Sequence, residues 1–479
     1  MIKKLYKKKT IQYFLIIFFI GCLFRYLYFI QLDGWFDEWN MLYTIDPNIS
    51  NDYTWKRYYG DRGDGFLPEY YPPLNAFLLK YILKIFGYSV ENTRLISLIF
   101  GCFSIYLVFY LSNILTTTKN SLTISILYSL NLFLIWQSSE IRPHSFVVFF
   151  ALLSIIFFFK LENKKFKSNE FDFLTYAAIS LILLSSWPFT LIIFFSKLLY
   201  FIQKIFLKRN LNKNIFLTLL LIILLYVLIN FEYLIYHLNR DEHYTKLYFS
   251  FFYSYHFRSF FGSIMLGGIF LIIFSFLFVT NVKNILNNNN KINLIIITII
   301  LSYLLTILYS LIGASVISPK YIIFIVPLII IWIIITITNN QYKFKNHLII
   351  FLILISTINL FLNFKNNPID RPPTKKILEL IKSSEVKTIY TSESEVFNNF
   401  LKNHNISKKN IFEINKINNL KVKDKSFWFL CLNNPRFAVG DNNLPDEIKC
   451  DFFKNKKNYL LKNEIRKVDY ILRLYEKKN

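Results

Sequence analysis

Long apolar runs alternate with short polar segments over residues 1–364. The first run, residues 11–30, has the roughly 20 residues with which a helix crosses the hydrocarbon core of a bilayer. Eleven crossings are predicted in this way, at residues 11–30, 94–115, 121–139, 143–161, 173–187, 188–207, 215–231, 261–281, 292–312, 321–338 and 348–364. The pattern therefore predicts a polytopic α-helical membrane protein with about eleven transmembrane helices.

The apolar segment at residues 74–86 does not fit this series. It is too short to span a bilayer, and it carries Lys80 and Lys84 one helical turn apart. A short, two-faced helix of this kind is typical of a segment that lies in the membrane interface. We therefore expect a re-entrant or interfacial helix on the outer side of the membrane, because an additional crossing here would invert every later loop.

The distribution of charge between the loops predicts the orientation. Lysine and arginine cluster on one side of the predicted crossings, at Lys3, Lys4, Lys7, Lys8, Lys9, Lys160, Lys164, Lys165, Lys167, Lys204, Lys208, Arg209, Lys213, Lys283, Lys291, Lys343 and Lys345. Most acidic residues of the membrane part fall on the other side, at Asp37, Glu38, Asp61, Asp64, Glu69, Glu91, Glu140, Asp241 and Glu242. Basic loops stay in the cytoplasm, so we expect a multi-pass protein of the cytoplasmic (inner) membrane with a cytoplasmic N-terminus.

Residues 365–479 have a different character from the membrane part, 1–364. They are polar, rich in Lys and Asn, and contain no run long enough to span. Local patterns predict helices at 375–383 and 397–403 and strands at 388–390 and 427–432. We expect a small α/β domain outside the cytoplasm.

Two of the four cysteines lie in this outer domain. Cys431 and Cys450 would meet an oxidising compartment there, so both a disulfide and a pair of free thiols are open. Cys22 and Cys102 lie in apolar runs, where we expect them to act as packing residues.

Composition excludes several classes of protein. With 54% hydrophobic and 19% aromatic residues, the chain is too apolar for a soluble enzyme of 479 residues. The net charge of +25 lies mostly in short loops between apolar runs, where it orients helices and contacts anionic headgroups. We therefore expect membrane lipids, and not nucleic acid, as the partners of this charge.

An acidic pair follows the first crossing. Asp37 and Glu38 stand between Trp35 and Trp39 and emerge on the outer side, close to the headgroups. Two carboxylates at that level can act on a substrate carried by a lipid. The simpler interpretation is that they mark a water-exposed helix end.

Several further motifs occur in a fixed order along the chain. They are Phe36-Asp37-Glu38, Tyr71-Pro72-Pro73-Leu74, Phe86-Gly87, Arg94-Leu95-Ile96-Ser97, Ser139-Glu140-Ile141-Arg142-Pro143-His144-Ser145, and Pro319-Lys320-Tyr321 ahead of Pro327. In their order and placement the chain resembles the membrane glycosyltransferases of the C-type superfamily. The nearest branch contains the protein O-mannosyltransferases, the lipid A aminoarabinose transferase and related bacterial lipopolysaccharide glycosyltransferases. The chain departs from the pattern at Lys320, where many relatives carry Arg, and at His144, which is often Tyr.

The resemblance implies a polyprenyl-phosphate-sugar donor and a glycolipid, glycan or protein acceptor. A hydroxyl or amine of the acceptor would attack the anomeric carbon as the lipid phosphate leaves, which inverts that centre. By resemblance Asp37 is the general base, and Glu38 orients the acceptor or holds a cation. The transmembrane glycosyltransferase domain would then be residues 1–364, with its catalytic outer loop at 31–93.

The leaving phosphate needs cationic partners. Arg142 is the strongest candidate, because it lies at a turn between two crossings where Pro143 can begin the next helix. A structural contact between Arg142 and Glu140 is the alternative. For Arg94, binding of the phosphate and simple extension of the side chain to the membrane interface are equally open. The complete predicted set of substrate- and phosphate-binding residues is Glu140, Arg142, His144, Lys320, Tyr321, Arg62, Asp64 and Arg94.

Metal dependence is open at this point. Glu140 can bind a sugar or a cation, and the first outer loop contains no Asp-x-Asp pair. A divalent cation such as Mg²⁺ or Mn²⁺ is therefore neither required nor excluded.

Two other functions share the size and hydropathy of this chain. A lipid-linked sugar flippase or polysaccharide exporter should have an internal repeat and ionisable groups at mid-membrane. The sequence shows no repeat, and Lys197 is its only clear charge deep within a predicted crossing. An O-antigen polymerase or ligase would depend on basic residues in a large late outer loop, with no need for the early acidic pair.

Overall fold

The computed structural model describes most of the chain. The described residues are 2–32, 34, 36–59, 72–162, 170–206, 213–238, 257–287, 291–312, 316, 318–340, 343–366, 374–391, 401, 409–413, 424–433, 453, 458–466 and 469–478. Within them the N-terminal part is helical and the C-terminal part contains a β-sheet.

The helices vary widely in length. The first eight are α1 (Ile2–Gln31), α2 (Phe36–Thr44), α3 (Asn51–Tyr59), α4 (Leu74–Phe86), α5 (Val90–Leu115), α6 (Thr118–Ser129), α7 (Leu132–Gln137) and α8 (His144–Glu162). The others are α9 (Glu170–Leu184), α10 (Leu191–Phe206), α11 (Lys213–Ile229), α12 (Phe231–Leu238), α13 (Phe257–Phe261), α14 (Ile264–Asn287), α15 (Ile292–Ile312), α16 (Ile325–Asn339), α17 (Lys345–Asn366) and α18 (Thr374–Ser383).

Seven helical segments among the described residues are long and apolar enough to cross a membrane, judged by length and composition. They are Lys9–Gln31, Val90–Leu115, His144–Glu162, Pro188–Phe206, Ile264–Asn281, Ile292–Leu311 and Lys345–Phe364. Two shorter apolar helices, Lys213–Ile229 and Ile325–Asn339, lie at predicted crossings as well. The predicted class, a polytopic helical membrane protein, is confirmed, while the number eleven stays a prediction.

The predicted crossing at 121–139 differs from the structure, which divides it into α6 and α7. The break has a local cause. The Asn131 side chain accepts a hydrogen bond from the Leu134 N–H at 3.0 Å and so caps a new helix. The same side chain donates to the Phe260 carbonyl oxygen at 2.8 Å, which anchors the break to α13.

The predicted interfacial helix corresponds to α4, which is not among the segments long and apolar enough to span. It ends where Gly87 takes a φ of +92°, a left-handed value that a side chain would strain. Lys80 is buried against the preceding segment, whereas Lys84 is exposed. The two lysines of the sequence pattern therefore lie in different environments.

Close packing of α5 places the segment that follows α7. A Cβ atom added to Gly101 would fall against the side chain of Ser138, so glycine permits this approach. The N-terminus of α5 is capped by Ser89, whose hydroxyl accepts from the Asn92 N–H at 3.0 Å. Together these contacts set Arg94, one turn into α5, beside the turn at residues 138–143.

Ion pairs join helix ends on the side that the charge pattern predicts to be cytoplasmic. Lys160 at the end of α8 donates to Asp172 near the start of α9 at 2.9 Å. Lys204 near the end of α10 pairs with Glu162. Part of the basic charge in these predicted loops is thus neutralised by neighbouring helices.

The C-terminal part is a five-stranded mixed sheet with the order β2-β1-β3-β5-β4. Its strands are β1 (Thr388–Thr391), β2 (Asn410–Glu413), β3 (Ser426–Asn433), β4 (Tyr459–Arg466) and β5 (Asp469–Lys477). β1 lies parallel to β2 and β3, whereas β5 runs antiparallel to both β3 and β4. Since parallel neighbours require a crossover connection, this is the α/β domain that the sequence predicts, with α18 preceding the first strand.

The cysteines of the chain have different states. Cys431 on β3 is disulfide-bonded, and Cys22 and Cys102 are free thiols. Cys450 lies outside the described residues, as does most of the predicted helix at 397–403.

Candidate active site

Glu38 and Arg94 form a buried, two-pronged ion pair. Arg94 Nε donates to Glu38 Oε1 at 3.0 Å, and Arg94 Nη2 donates to Glu38 Oε2 at 2.8 Å. Glu38 is 1% exposed and Arg94 is 6% exposed. The planar guanidinium matches the carboxylate with two parallel hydrogen bonds, so the pair holds α2 against α5 in one orientation.

Two backbone contacts extend this ion pair to other segments. Arg94 Nη1 donates to the Leu32 carbonyl oxygen at 2.7 Å, just past the end of α1, where a cation is favoured by the helix dipole. The Ile141 N–H donates to Glu38 Oε1 at 2.9 Å. The ion pair therefore joins four segments: the end of α1, α2, α5 and the turn at 138–143.

That turn and the first residue of α8 carry three of the predicted site residues. Glu140 and His144 are buried, and His144 Nδ1 lies 3.9 Å from Glu140 Oε2. Arg142, between them, is half-buried. α8 begins at His144, directly after Pro143, so the first helical turn and the preceding turn act as one unit.

A second group of residues reaches the same place from a later part of the chain. Lys320 is half-buried, and its Nζ lies 5.4 Å from the centre of the Trp136 ring, a cation–π geometry. Trp136 lies in α7, which ends at the turn, so this contact brings Lys320 near the turn. That residues 140–144 and 320 share one substrate site stays a prediction.

Aromatic residues at the break between α9 and α10 complete this cluster. The Tyr321 ring stacks on Phe189 with centroids 4.8 Å apart and an angle of 8° between planes. The Trp187 indole N–H donates to the Tyr321 carbonyl oxygen at 2.8 Å. The Trp187 ring also meets His144 edge to face, with centroids 5.4 Å apart.

Sequence reasoning did not identify Trp187, Phe189 or Trp136 as site residues. A signal for the first two is present, because Pro188 follows Trp187 between two apolar runs and ends α9. A helix break between two apolar runs often marks a site inside a membrane protein. Trp136 has no such signal, since it lies within an apolar stretch.

Some predicted site residues lie outside the described part. Asp37 belongs to α2, one position before Glu38, but its side chain is not described. Arg62 and Asp64 fall within 60–71, which is likewise outside the described residues. The predicted roles of these residues therefore stay predictions.

A hydrogen-bond network holds the outer segment that follows α2. Lys80 Nζ donates to the Ile49 carbonyl oxygen at 2.6 Å and to Thr54 Oγ1 at 3.0 Å. Thr54 Oγ1 in turn donates to the Thr44 carbonyl oxygen at 3.1 Å. Burial lowers the pKa of the Lys80 ammonium, and the nearby charge of Asp46 acts in the opposite direction. The α2–α3 connection is thus fixed to α4 by a buried cation.

No group of three or more His, Cys, Asp or Glu side chains suited to a metal occurs among the residues whose side chains are described. Both oxygens of Glu38 are already taken up by Arg94 and Ile141. The site combines α2 with its bound carboxylate Glu38, the turn that carries Glu140 and Arg142, the ammonium of Lys320, and the aromatic cluster. Such a set can activate a nucleophile and hold an anionic leaving group.

A family model described as dolichyl-phosphate-mannose-protein mannosyltransferase matches residues 71–232 of the chain. The matched range contains Arg94, the 138–143 turn and Trp187, and it excludes Asp37 and Lys320. No curated protein sequence matches the chain.

Solved structures of lipid-dependent glycosyltransferases share the fold. ArnT from Cupriavidus metallidurans bound to undecaprenyl phosphate has a TM-score of 0.54 at 10% identity, over 98% of this chain and 98% of that chain. Its apo form has a TM-score of 0.54 at 8% identity, over 99% and 98%. AglB from Archaeoglobus fulgidus, in complex with an inhibitory peptide and a dolichol-phosphate, has a TM-score of 0.50 at 11% identity. That match covers 85% of this chain and 64% of AglB.

The chain spans 62% to 64% of the archaeal oligosaccharyltransferase chains, so the likeness to them is partial. The likeness to ArnT extends over nearly all of both chains and, at this identity, concerns the fold. Together with the family match it confirms the resemblance to the C-type membrane glycosyltransferases. The chain is a multi-pass membrane protein with that fold, and glycosyl transfer is the general kind of reaction that the comparisons support.

Proposed function

We propose that this protein transfers a sugar from a polyprenyl-phosphate-sugar donor to a hydroxyl or amine of a glycolipid, glycan or protein at the outer face of the cytoplasmic membrane. The family match to dolichyl-phosphate-mannose-protein mannosyltransferases supports the class of donor. The ArnT and AglB structures, with undecaprenyl phosphate and dolichol-phosphate respectively, support the same class. The identity of the sugar is not part of the proposal.

One observation carries the proposal: the buried ion pair between Glu38 and Arg94, with the Ile141 N–H as a third contact. This arrangement holds the helix that bears Asp37 against the turn that bears Arg142. A buried ion pair is costly to form. Here it joins α2, which bears the proposed base, to the turn that bears the proposed phosphate ligand. The ion pair therefore supports the proposal that α2 and this turn belong to one site.

The proposed base is Asp37. Its carboxylate would accept the proton of the acceptor hydroxyl as that oxygen attacks the anomeric carbon. The bond from this carbon to the phosphate oxygen breaks with its electron pair on the phosphate, and the anomeric centre inverts. A positioned general base contributes about 10²–10⁴-fold to such a step. Glu38, held by Arg94, is proposed to position α2 instead of contacting the acceptor.

The proposed partners of the leaving phosphate are Arg142 and Lys320. Both are half-buried, so they can contact an anion while partly shielded from bulk water. Lys320 acts as a point charge where an arginine would grip two oxygens. Arg94, engaged by Glu38, is proposed as a positioning residue, and Glu140 and His144 line the same site.

The proposed location of the site is extracytoplasmic. It depends on a cytoplasmic N-terminus and places residues 365–479 outside, beside the transmembrane glycosyltransferase domain 1–364. Labelling of single cysteines introduced at exposed Asp52 and Lys343 with a membrane-impermeant maleimide tests this orientation. Intact cells should label the first position and not the second, and the reverse pattern would contradict the proposal.

The test of function is sugar transfer by purified protein in lipid nanodiscs. Undecaprenyl-phosphate sugars are supplied singly with a mixture of envelope glycolipids and peptides, with and without a chelator to settle the need for Mg²⁺ or Mn²⁺. Asp37→Asn should reduce transfer by about 10²–10⁴-fold while the thermal unfolding midpoint is kept. Asp52→Asn is the matched control, because Asp52 lies on α3 in an exposed pair with Lys56. Full transfer by a folded Asp37→Asn variant would remove the proposed mechanism.

A lipid-linked sugar flippase or exporter is the competing function, and Lys197 is the observation that favours it. Lys197 is fully buried in α10, as an ion-pathway residue would be. Its ammonium, however, donates to Ser154 Oγ at 2.7 Å and to Tyr176 OH at 3.0 Å, which is a packing arrangement between helices. Lipid scrambling without transfer in the nanodisc and vesicle assays would favour the transporter.

A further inference from the structure

The aromatic cluster between α9 and α10 is not used by the proposed reaction. α9 ends at Leu184, and a single 3₁₀ turn over Pro188–Thr190 precedes α10. This break brings Trp187 and Phe189 out of the helical register and against the later Tyr321. A connection between two crossings does not by itself require aromatic side chains, and this one carries two of the three rings.

The three rings differ in burial. Trp187 is 2% exposed, and its N–H is bonded to the Tyr321 carbonyl oxygen. Phe189 and Tyr321 are only half-buried, although they stack almost in parallel. Both rings of the stacked pair therefore keep part of their surface exposed.

The stacked pair adjoins charged groups of both signs. Trp187 lies edge to face against His144, which is 3.9 Å from Glu140. Lys320 directly precedes Tyr321 and lies over Trp136. A flat apolar surface, a carboxylate and a cation thus meet within one short chain of contacts.

We propose that Phe189 and Tyr321 form a platform on which the sugar ring of the lipid-linked donor stacks, with Trp187 as the positioning residue for both. A sugar ring has an apolar face of C–H groups and a rim of hydroxyls. The C–H face suits an aromatic surface, and the hydroxyl rim suits polar groups near it. The lipid phosphate, which is bonded to the sugar ring, would then lie on the side of Lys320. This inference rests on the proposed function and adds the residues that recognise the sugar.

The platform has a distinctive consequence for binding. It contacts the sugar and not the lipid or the phosphate, so its loss should weaken only donors that carry a sugar. A merely structural role would weaken the binding of sugar-bearing and sugar-free lipid alike. The ratio of the two affinities is therefore the decisive quantity.

The experiment measures competition against a fluorescent undecaprenyl phosphate in detergent micelles. The competitors are undecaprenyl phosphate and its esters with mannose, glucose and aminoarabinose. Phe189→Leu keeps apolar volume but removes the flat ring. We expect it to weaken the preferred sugar-bearing lipid by about tenfold and undecaprenyl phosphate by less than about twofold.

Matched variants separate the platform from general packing. Phe189→Tyr keeps the ring and should retain the wild-type ratio, and Phe195→Ala, at an exposed position of α10, should do so as well. Trp187→Phe, which removes the N–H bonded to Tyr321, should lower the ratio in the same direction as Phe189→Leu. Tyr321→Leu removes the other ring of the platform and serves as the test variant if Phe189→Leu does not fold.

Two results would overturn the inference. One is an equal loss of affinity for both kinds of lipid, and the other is an unchanged ratio in Phe189→Leu and Tyr321→Leu. Wild-type protein that binds the lipids without distinguishing the sugar overturns the platform alone. Wild-type protein that binds none of them overturns the proposed function and this inference with it.

Discussion

Glu38 and Arg94 stand 56 positions apart in the sequence and meet through two hydrogen bonds of 3.0 and 2.8 Å in the protein interior. Neither residue is exposed enough for water to replace its partner. The pair is therefore the structural basis of the site, since it joins α2 to α5 and, through Ile141, to the turn that carries Arg142.

Breaking this ion pair is expected to be costly. Glu38→Gln leaves the Arg94 charge buried without compensation, which should lower the free energy of unfolding by about 3–5 kcal/mol. Thermal and denaturant unfolding in detergent measure this loss. Asp52→Asn, which breaks an exposed pair with Lys56, should cost less than about 1 kcal/mol.

The double variant Glu38→Leu, Arg94→Met separates stability from activity. It removes both buried charges, so we expect it to regain much of the stability that Glu38→Gln loses. Sugar transfer should stay low, because the Ile141 N–H loses its acceptor and α2 is no longer oriented. Normal transfer by the double variant would contradict the positioning role.

Lys80 should control the order of the outer segment between α2 and α4. Lys80→Met removes the hydrogen bonds to Ile49 and Thr54, which should lower the free energy of local opening there by about 1.5–3 kcal/mol. Hydrogen exchange over Asn51–Tyr59 measures the effect, and slower sugar transfer should accompany it. Lys84→Met, one turn away and exposed, is the control, and equal exchange in the two variants would contradict the prediction.

Lys197 should behave as a packing residue. Its ammonium is surrounded by hydroxyl groups and by aromatic rings, with the Phe194 ring centre 4.6 Å away. Lys197→Met removes a buried charge and should leave stability unchanged or increase it. Tyr176→Phe keeps the charge but removes an acceptor, so it should lower the free energy of unfolding by about 1–3 kcal/mol.

The activity of Lys197→Met tests whether Lys197 acts only in packing. We expect unchanged sugar transfer from this variant in nanodiscs. Loss of transfer with unchanged unfolding would instead place Lys197 in a substrate or ion pathway.

Alkaline pH should destabilise the C-terminal sheet through Tyr390. Burial raises the pKa of Tyr390 from 10.0 to about 12, and the charge of Asp424 adds to the shift. Between these values the unfolded chain loses the proton and the folded protein keeps it, so folded stability falls as pH rises through this window. Unfolding midpoints measured at pH 10 to 12 should decline less in Tyr390→Phe than in the wild type. An identical decline would show that other groups dominate.

The helical part of the fold could be predicted well from the sequence. Apolar runs long enough to span a bilayer have one stable solution there, because a helix satisfies its own backbone hydrogen bonds. The division of 121–139 into α6 and α7 could not, because the Asn131 side chain that caps α7 lies within an otherwise apolar run, and its anchor to Phe260 joins residues far apart in the chain. Length and apolarity alone cannot show such a break.

The strands were harder to predict. The segment at 427–432 is continuously apolar and was identified, and the structure places it in β3 at the centre of the sheet. β4 and β5 were not predicted, because Lys, Asn, Glu and Arg interrupt their apolar positions. Their pairing with each other and with β3 compensates for this weak local pattern.

The sequence by itself determined the membrane class, the order of the motifs and the identity of the charged residues. These follow from local composition, since hydrophobic length and charge act wherever the residues are. Only the tertiary structure decided that Glu38 is bound by Arg94, that Lys320 lies over Trp136 and that Trp187 donates to Tyr321. Such pairings depend on how helices pack across long sequence separations, and packing selects partners by shape and burial, which no local pattern records.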